Sequence, residues 1–82
     1  MSVTKAIMEL ISQETVISVP ITETTDLYED LYLDSLSFVS LLMDIEEQYN
    51  ITIGLSEMAD CHIVGQLINL VEKKIREETE HD

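Results

Sequence analysis

This sequence predicts an all-α fold: a small antiparallel-type four-helix bundle, with three main helices, one short helix and a long first loop. Three observations carry that prediction. Three separate segments repeat apolar residues at intervals of three and four, which at about 100° per residue sets them on one stripe of an α-helix. The stretch joining the first two segments is rich in β-branched residues and broken by Pro20, so it is a connection. With 82 residues, 45% of them hydrophobic, the chain suits one compact core, burying about 60% of the unfolded surface.

The first helix follows from Val3, Ala6, Ile7, Leu10 and Ile11, with Ser2 or Thr4 placed to cap it. From about Glu14 to Asp34 the period is lost through Thr15, Val16, Ile17, Ser18, Val19, Pro20, Thr22, Thr24 and Thr25. A connection this long spans something or carries function. Here it can cross from the far end of helix one to the start of helix two, pinned to the core by Val16, Ile17, Val19, Leu27 and Leu31. Asp26 to Leu31 are expected to form one helical turn.

The second helix lies within Leu33 to Tyr49. Phe38, Leu41, Leu42, Ile45 and Tyr49 form its core-facing stripe, and Asp34 or Ser35 serves as N-cap. Asn50 and Gly54 mark a break, with Ile51, Ile53 and Leu55 as core anchors. Ser56 opens a short helix through Met58, Ala59 and Asp60. The last helix repeats Val64, Leu67, Ile68, Val71 and Ile75, and places Lys73, Lys74 and Arg76 near its C-terminus, where the helix dipole favours positive charge. The acidic tail from Glu77 to Asp82 is expected to fray. No internal boundary interrupts residues 1–82, which are expected to form a single domain.

Seventeen acids against four bases give a formal net charge of −13. Nucleic acid is therefore excluded as a partner, since phosphate binding needs clustered Lys and Arg, and basic protein surfaces are the natural complement. The single Cys61 forms no internal disulfide, no signal peptide precedes the first helix, and no apolar run approaches membrane-spanning length. A monomer in the cytoplasm, without membrane insertion, is the expectation.

Helix two has a second apolar line on the side opposite its core stripe, made by Leu36, Val39 and Met43. A helix that buries one face has no need of it, and apolar patches with polar rims mark binding sites more often than accidents. Asp44, Glu46 and Glu47 supply the rim here. At the head of the same helix, a phosphate esterified to Ser35 would be stabilised by the helix dipole. Hydrolase chemistry is a poor fit, because a nucleophile elbow needs Gly where this chain has Leu33 and Ser37, and the only histidines are His62 and His81. Cys61 beside His62 is not a metal site, since structural zinc needs about four ligands. Asp26 to Asp30 is not a calcium loop, since Leu31 stands where Gly is needed. Tyr28, Tyr32 and Tyr49 are expected to pack, and Met8, Met43 and Met58 to fill gaps.

The Asp34-Ser35-Leu36 triplet, the acidic helix after it and the later Ile63-Val64-Gly65-Gln66-Leu67-Ile68 resemble the acyl carrier proteins in order and spacing over nearly the whole chain. The resemblance implies no catalysis of the chain's own. It implies instead a covalent phosphopantetheine arm on Ser35, donated by coenzyme A and installed by a phosphopantetheinyl transferase. The arm's thiol would hold acyl intermediates as thioesters for fatty acid or polyketide biosynthesis. Loading and using enzymes with basic patches would dock on Leu36, Val39, Met43, Asp44, Glu46 and Glu47, with Leu36 and Met43 the leading apolar contacts. A fatty acyl chain could retreat between helices near Ile45, Met58, Ile63 and Leu67. The family commonly has Gly three residues before the serine, where this chain has Tyr32. Carriers with an apolar residue there include discrete carriers of amino acids, so an aminoacyl or peptidyl carrier, D-alanyl included, is the nearer alternative. An unmodified acidic helical adaptor is the farther one.

Overall fold

The computed structural model describes residues 2–15 and 19–79, in which four helices follow one another: α1 (Val3–Glu14), α2 (Ser35–Tyr49), α3 (Leu55–Met58) and α4 (Val64–Thr79). Of the expected features, Val16, Ile17, His81 and the end of the tail lie outside the described residues, as does the side chain of Leu55. α1 packs against both α2 and α4. Its N-cap is Ser2, whose hydroxyl accepts from the Lys5 amide at 3.1 Å. Ile7 and Ile11 are buried, so this helix supplies the wall onto which the other two long helices close.

The core stripe of α2 is as its spacing predicts. Phe38, Leu41, Leu42 and Ile45 are buried and Tyr49 packs against them, while Val64, Leu67, Ile68 and Val71 meet them from α4. At the C-terminal end of α2, Asn50 takes a left-handed conformation (φ 55) and ends the helix. Ile51 and Ile53 then turn back into the core. Glu46 belongs to this turn, since its carboxylate accepts from the Ile53 amide at 2.7 Å.

The long connection is laced to the chain just ahead of α4. Asp26 and Ile63 form an isolated antiparallel bridge. The Leu27 amide donates to His62 O at 2.7 Å, Val64 N to Thr25 O at 2.9 Å, and Gly65 N to Glu23 O at 2.7 Å. Asp26 organises the connection from within: Oδ1 accepts from the amides of Tyr28 (2.8 Å) and Glu29 (2.9 Å), and Oδ2 meets His62 Nδ1 at 3.2 Å. Backbone bonds from Asp30 N and Leu31 N to Asp26 O close the single turn expected there. Leu27 and Leu31 are buried as anticipated.

Several side chains sit differently from expectation. Val19 is 43% exposed and does not pin the connection, a task that backbone hydrogen bonds perform. Tyr32 is 75% exposed and Met43 58%, so neither packs nor fills a gap. The His62 ring bonds Asp26, and α4 starts two residues later. α4 runs through Thr79, past the point where fraying was expected, and Lys74 is drawn from its end by an ion pair to Glu57 of α3 at 2.9 Å. Cys61 is buried, and that burial, with Asp60 and Glu57 nearby, pushes its thiol above the ordinary value.

Candidate functional site

The head of α2 is held by its neighbours on both sides. Thr15, at the end of α1, donates its hydroxyl to Leu31 O at 3.1 Å, and Leu33 N donates to Leu27 O at 3.0 Å. With Leu31 and Leu33 both buried, Tyr32 between them is turned outward through a left-handed backbone (φ 56). The chain then reaches Asp34 in extended conformation (φ −86, ψ 175), poised to cap the helix.

Asp34, and not Ser35, is the N-cap. Its Oδ1 accepts from Ser37 N at 2.7 Å, while Phe38 N closes the first helical bond to Asp34 O at 2.9 Å. The Ser37 amide is the main reason the Asp34 carboxyl lies below its ordinary value, followed by the Ser37 hydroxyl and the Leu36 and Asp34 amides. Ser35 is thereby left as the first helical residue, exposed, with a hydroxyl that makes no hydrogen bond among the described residues. The Ser37 N–H is already taken by Asp34, so a phosphate on Ser35 would be favoured by the helix dipole and by open solvent, not by that amide.

Along the outer face of α2 the structure exposes Leu36 (80%), Met43 (58%) and Val39 (39%), with Asp44 and Glu47 exposed beside them. Glu46 is half-buried and engaged with Ile53, which separates it from the other two acids. Next to the helix head lies a cleft of about 190 Å³ lined by Glu14, Thr15, Leu31, Tyr32, Leu33, Asp34 and Ser37. Periodicity could not reveal this cleft, because Glu14 and Thr15 of its lining come from the end of α1, far from the others in sequence. The non-helical Gly-for-Tyr contrast at Tyr32 was the one available signal.

Fold and site define a class: a small helical scaffold that presents a free hydroxyl at the positive end of an acid-rimmed helix. Among the described residues, no group of His, Cys, Asp and Glu is arranged to hold a metal, and no helix is long and apolar enough to cross a membrane. The profile of the family described as "Phosphopantetheine attachment site" matches residues 5–71. The chain is 33% identical over 55 residues to the acyl carrier protein of Thermotoga maritima, covering 67% of this chain and 68% of that one. It is 36% identical over 52 residues to the chloroplastic acyl carrier protein 1 of Hordeum vulgare, spanning 63% of this chain but only 35% of that longer protein. The solution structure of the holo acyl carrier protein of Geobacter metallireducens superposes with a TM-score of 0.82 at 30% identity, covering 100% of this chain and 95% of that one. The chain belongs to the acyl carrier protein family, the phosphopantetheine-bearing carriers.

The site suits that prosthetic group. An exposed, uncommitted hydroxyl at the first position of α2 leaves room for a phosphodiester, and the carboxylate beside it is folded back onto the Ser37 amide.

Proposed function

We propose that Ser35 is the attachment residue and that residues 1–82 act as one acyl carrier domain for fatty acid or polyketide biosynthesis. The observation that carries this reading is the free Ser35 hydroxyl at the head of α2, capped by Asp34 and followed by exposed Leu36. Bound there, the arm supplies a thiol that holds an acyl group as a thioester, so each later reaction becomes a docking event at raised effective concentration. The chain's own residues do the presenting. Asp34 fixes the first turn, so Ser35 sits on a rigid element and not on a loop. Leu36, Val39 and Met43 offer apolar contact, and Asp44 and Glu47 steer basic partners to it. Glu46 supports the same surface indirectly by tying the end of α2 to Ile53. The partners are a phosphopantetheinyl transferase, for which this chain is a substrate, and the enzymes that load and use the arm.

An aminoacyl carrier shares the Ser35 chemistry, and Tyr32 in place of Gly favours keeping it as a second reading. Trial loading with an acyl-transferring enzyme against an adenylating one separates the two. The primary test is intact mass after incubation with coenzyme A and a broad-specificity transferase. One added arm, mapped to the peptide containing Ser35 and absent in Ser35→Ala, is the expected result. No addition to a folded wild-type chain, with two different transferases tried, would sink the proposal in favour of an unmodified adaptor.

A further inference from the structure

Tyr32 stands in a conformation that bulky L-residues rarely adopt, with φ 56. The flip follows the turn closed by the bonds from Asp30 N and Leu31 N to Asp26 O, and the leucines on either side of it, Leu31 and Leu33, are both buried. Nothing in that turn calls for a tyrosine. Glycine would satisfy the same backbone without strain, and a ring that is 75% exposed adds little to the core. Strained residues of this kind cluster where a ligand is held. The position of Tyr32 points the same way, because it walls the cleft bounded by Glu14 and Thr15 of the α1 end and by Asp34 and Ser37, which flank Ser35 in sequence.

We infer that this cleft seats the first part of the phosphopantetheine arm, with the Tyr32 ring covering the arm's dimethyl-bearing segment. The inference rests on attachment at Ser35. The chemistry of the lining matches that segment, which joins a compact apolar carbon centre to a hydroxyl and an amide. The Tyr32 ring offers an apolar face that gains by being covered, and Glu14 and Thr15 add polar residues to the same lining, the Thr15 hydroxyl donating to Leu31 O at 3.1 Å and the Glu14 carboxylate accepting from the Ser40 hydroxyl at 3.2 Å. Seating the arm here directs it toward the α1 side of Ser35, away from the Leu36–Met43 face, and leaves that face open to an enzyme while the arm is parked. Tyr32 is thus a positioning residue, acting on where the arm rests.

The test uses arm-loaded protein, with loading first verified by intact mass, and reads the two arm methyl resonances by NMR. The wild type should show those methyls displaced upfield from their positions in free phosphopantetheine, with cross-peaks to the Tyr32 ring protons. Tyr32→Phe should keep the displacement, whereas Tyr32→Leu and Tyr32→Gly should lose it while the amide spectrum of the helices persists. Arm methyls at free-phosphopantetheine positions in the loaded wild type, or a displacement that survives Tyr32→Gly, would overturn the inference and leave the Ser35 attachment standing. Failure to load at all overturns both.

Discussion

Gly65 is the position where one added carbon should cost most. A Cβ built there lies 2.8 Å from Glu23 O and 3.3 Å from Glu23 Cβ, and the first of these is a backbone atom that also accepts the Gly65 amide at 2.7 Å. Gly65→Ala must therefore push the connection away from α4, lengthening that bond and the neighbouring bond from Val64 N to Thr25 O, at 2.9 Å. Each backbone bond contributes about 1 kcal/mol net, and more where the group left behind is covered, so the loss is about 2–3 kcal/mol. Against it, alanine gains up to about 1 kcal/mol of helix propensity over glycine. The balance is a destabilisation of about 1–2 kcal/mol, which for a domain of this size lowers the melting temperature by roughly 4–16 °C. Far-UV circular dichroism melts and urea titrations of the Ala variant beside a Gln66→Ala control would measure it, the control staying within about 0.5 kcal/mol because Gln66 is exposed. A Gly65→Ala protein as stable as the wild type would refute the reasoning, since propensity alone would then have decided the outcome.

Tyr32→Gly removes a left-handed aromatic residue from an exposed position, and should stabilise the unmodified chain by about 1 kcal/mol in urea titration. Asp26→Asn should change the acid dependence of stability. The Glu29 amide, the Tyr28 amide and His62 hold the Asp26 carboxyl below the ordinary 3.8, so its contribution is complete above that value and fades as pH falls through the lower folded value. The stability gap between wild type and Asp26→Asn should accordingly be widest above about pH 5 and narrow below pH 4, as read by denaturant titration across that range. Met43→Asp, on an exposed side chain, should leave the melting temperature nearly unchanged while weakening transfer to a partner enzyme roughly 5–30-fold in kcat/KM.

What could be read from the sequence was whatever depends on helical period. Phe38, Leu41, Leu42 and Ile45 had to face one way for any helix at this register, and the leftover line of Leu36, Val39 and Met43 had to face the other. The capping choice between Asp34 and Ser35 needed one more fact, the extended backbone at Asp34, which the carboxylate exploits to reach Ser37 N. Features without a period stayed hidden. Val19 looked like an anchor because it is apolar, yet the connection is held by amide and carbonyl groups whose partners lie near α4. Tyr32 looked like a packing residue because it is aromatic, yet it is exposed, on the left-handed backbone that follows the turn closed on Asp26 O. Glu46 looked equivalent to Glu47, and only the returning loop at Ile53 distinguishes them.

The lacing of residues 23–27 to 62–65 also sets an order on how the molecule comes apart. Asp26 and His62 are 36 positions apart, so everything between them, including all of α2 and α3, is an internal loop closed by this junction. Closing such a loop costs on the order of 3 kcal/mol in chain entropy beyond a constant, and the junction recovers it only once α4 has formed to receive the bonds. Folding should thus meet its main barrier at this pairing, and the amides of Leu27, Val64 and Gly65 should exchange with solvent only through global opening. Fraying at the helix ends can come and go without disturbing them. The serine-bearing helix is held in a ring of chain whose clasp lies in two other segments, so partners can press on its outer face without loading the contacts that keep the ring shut.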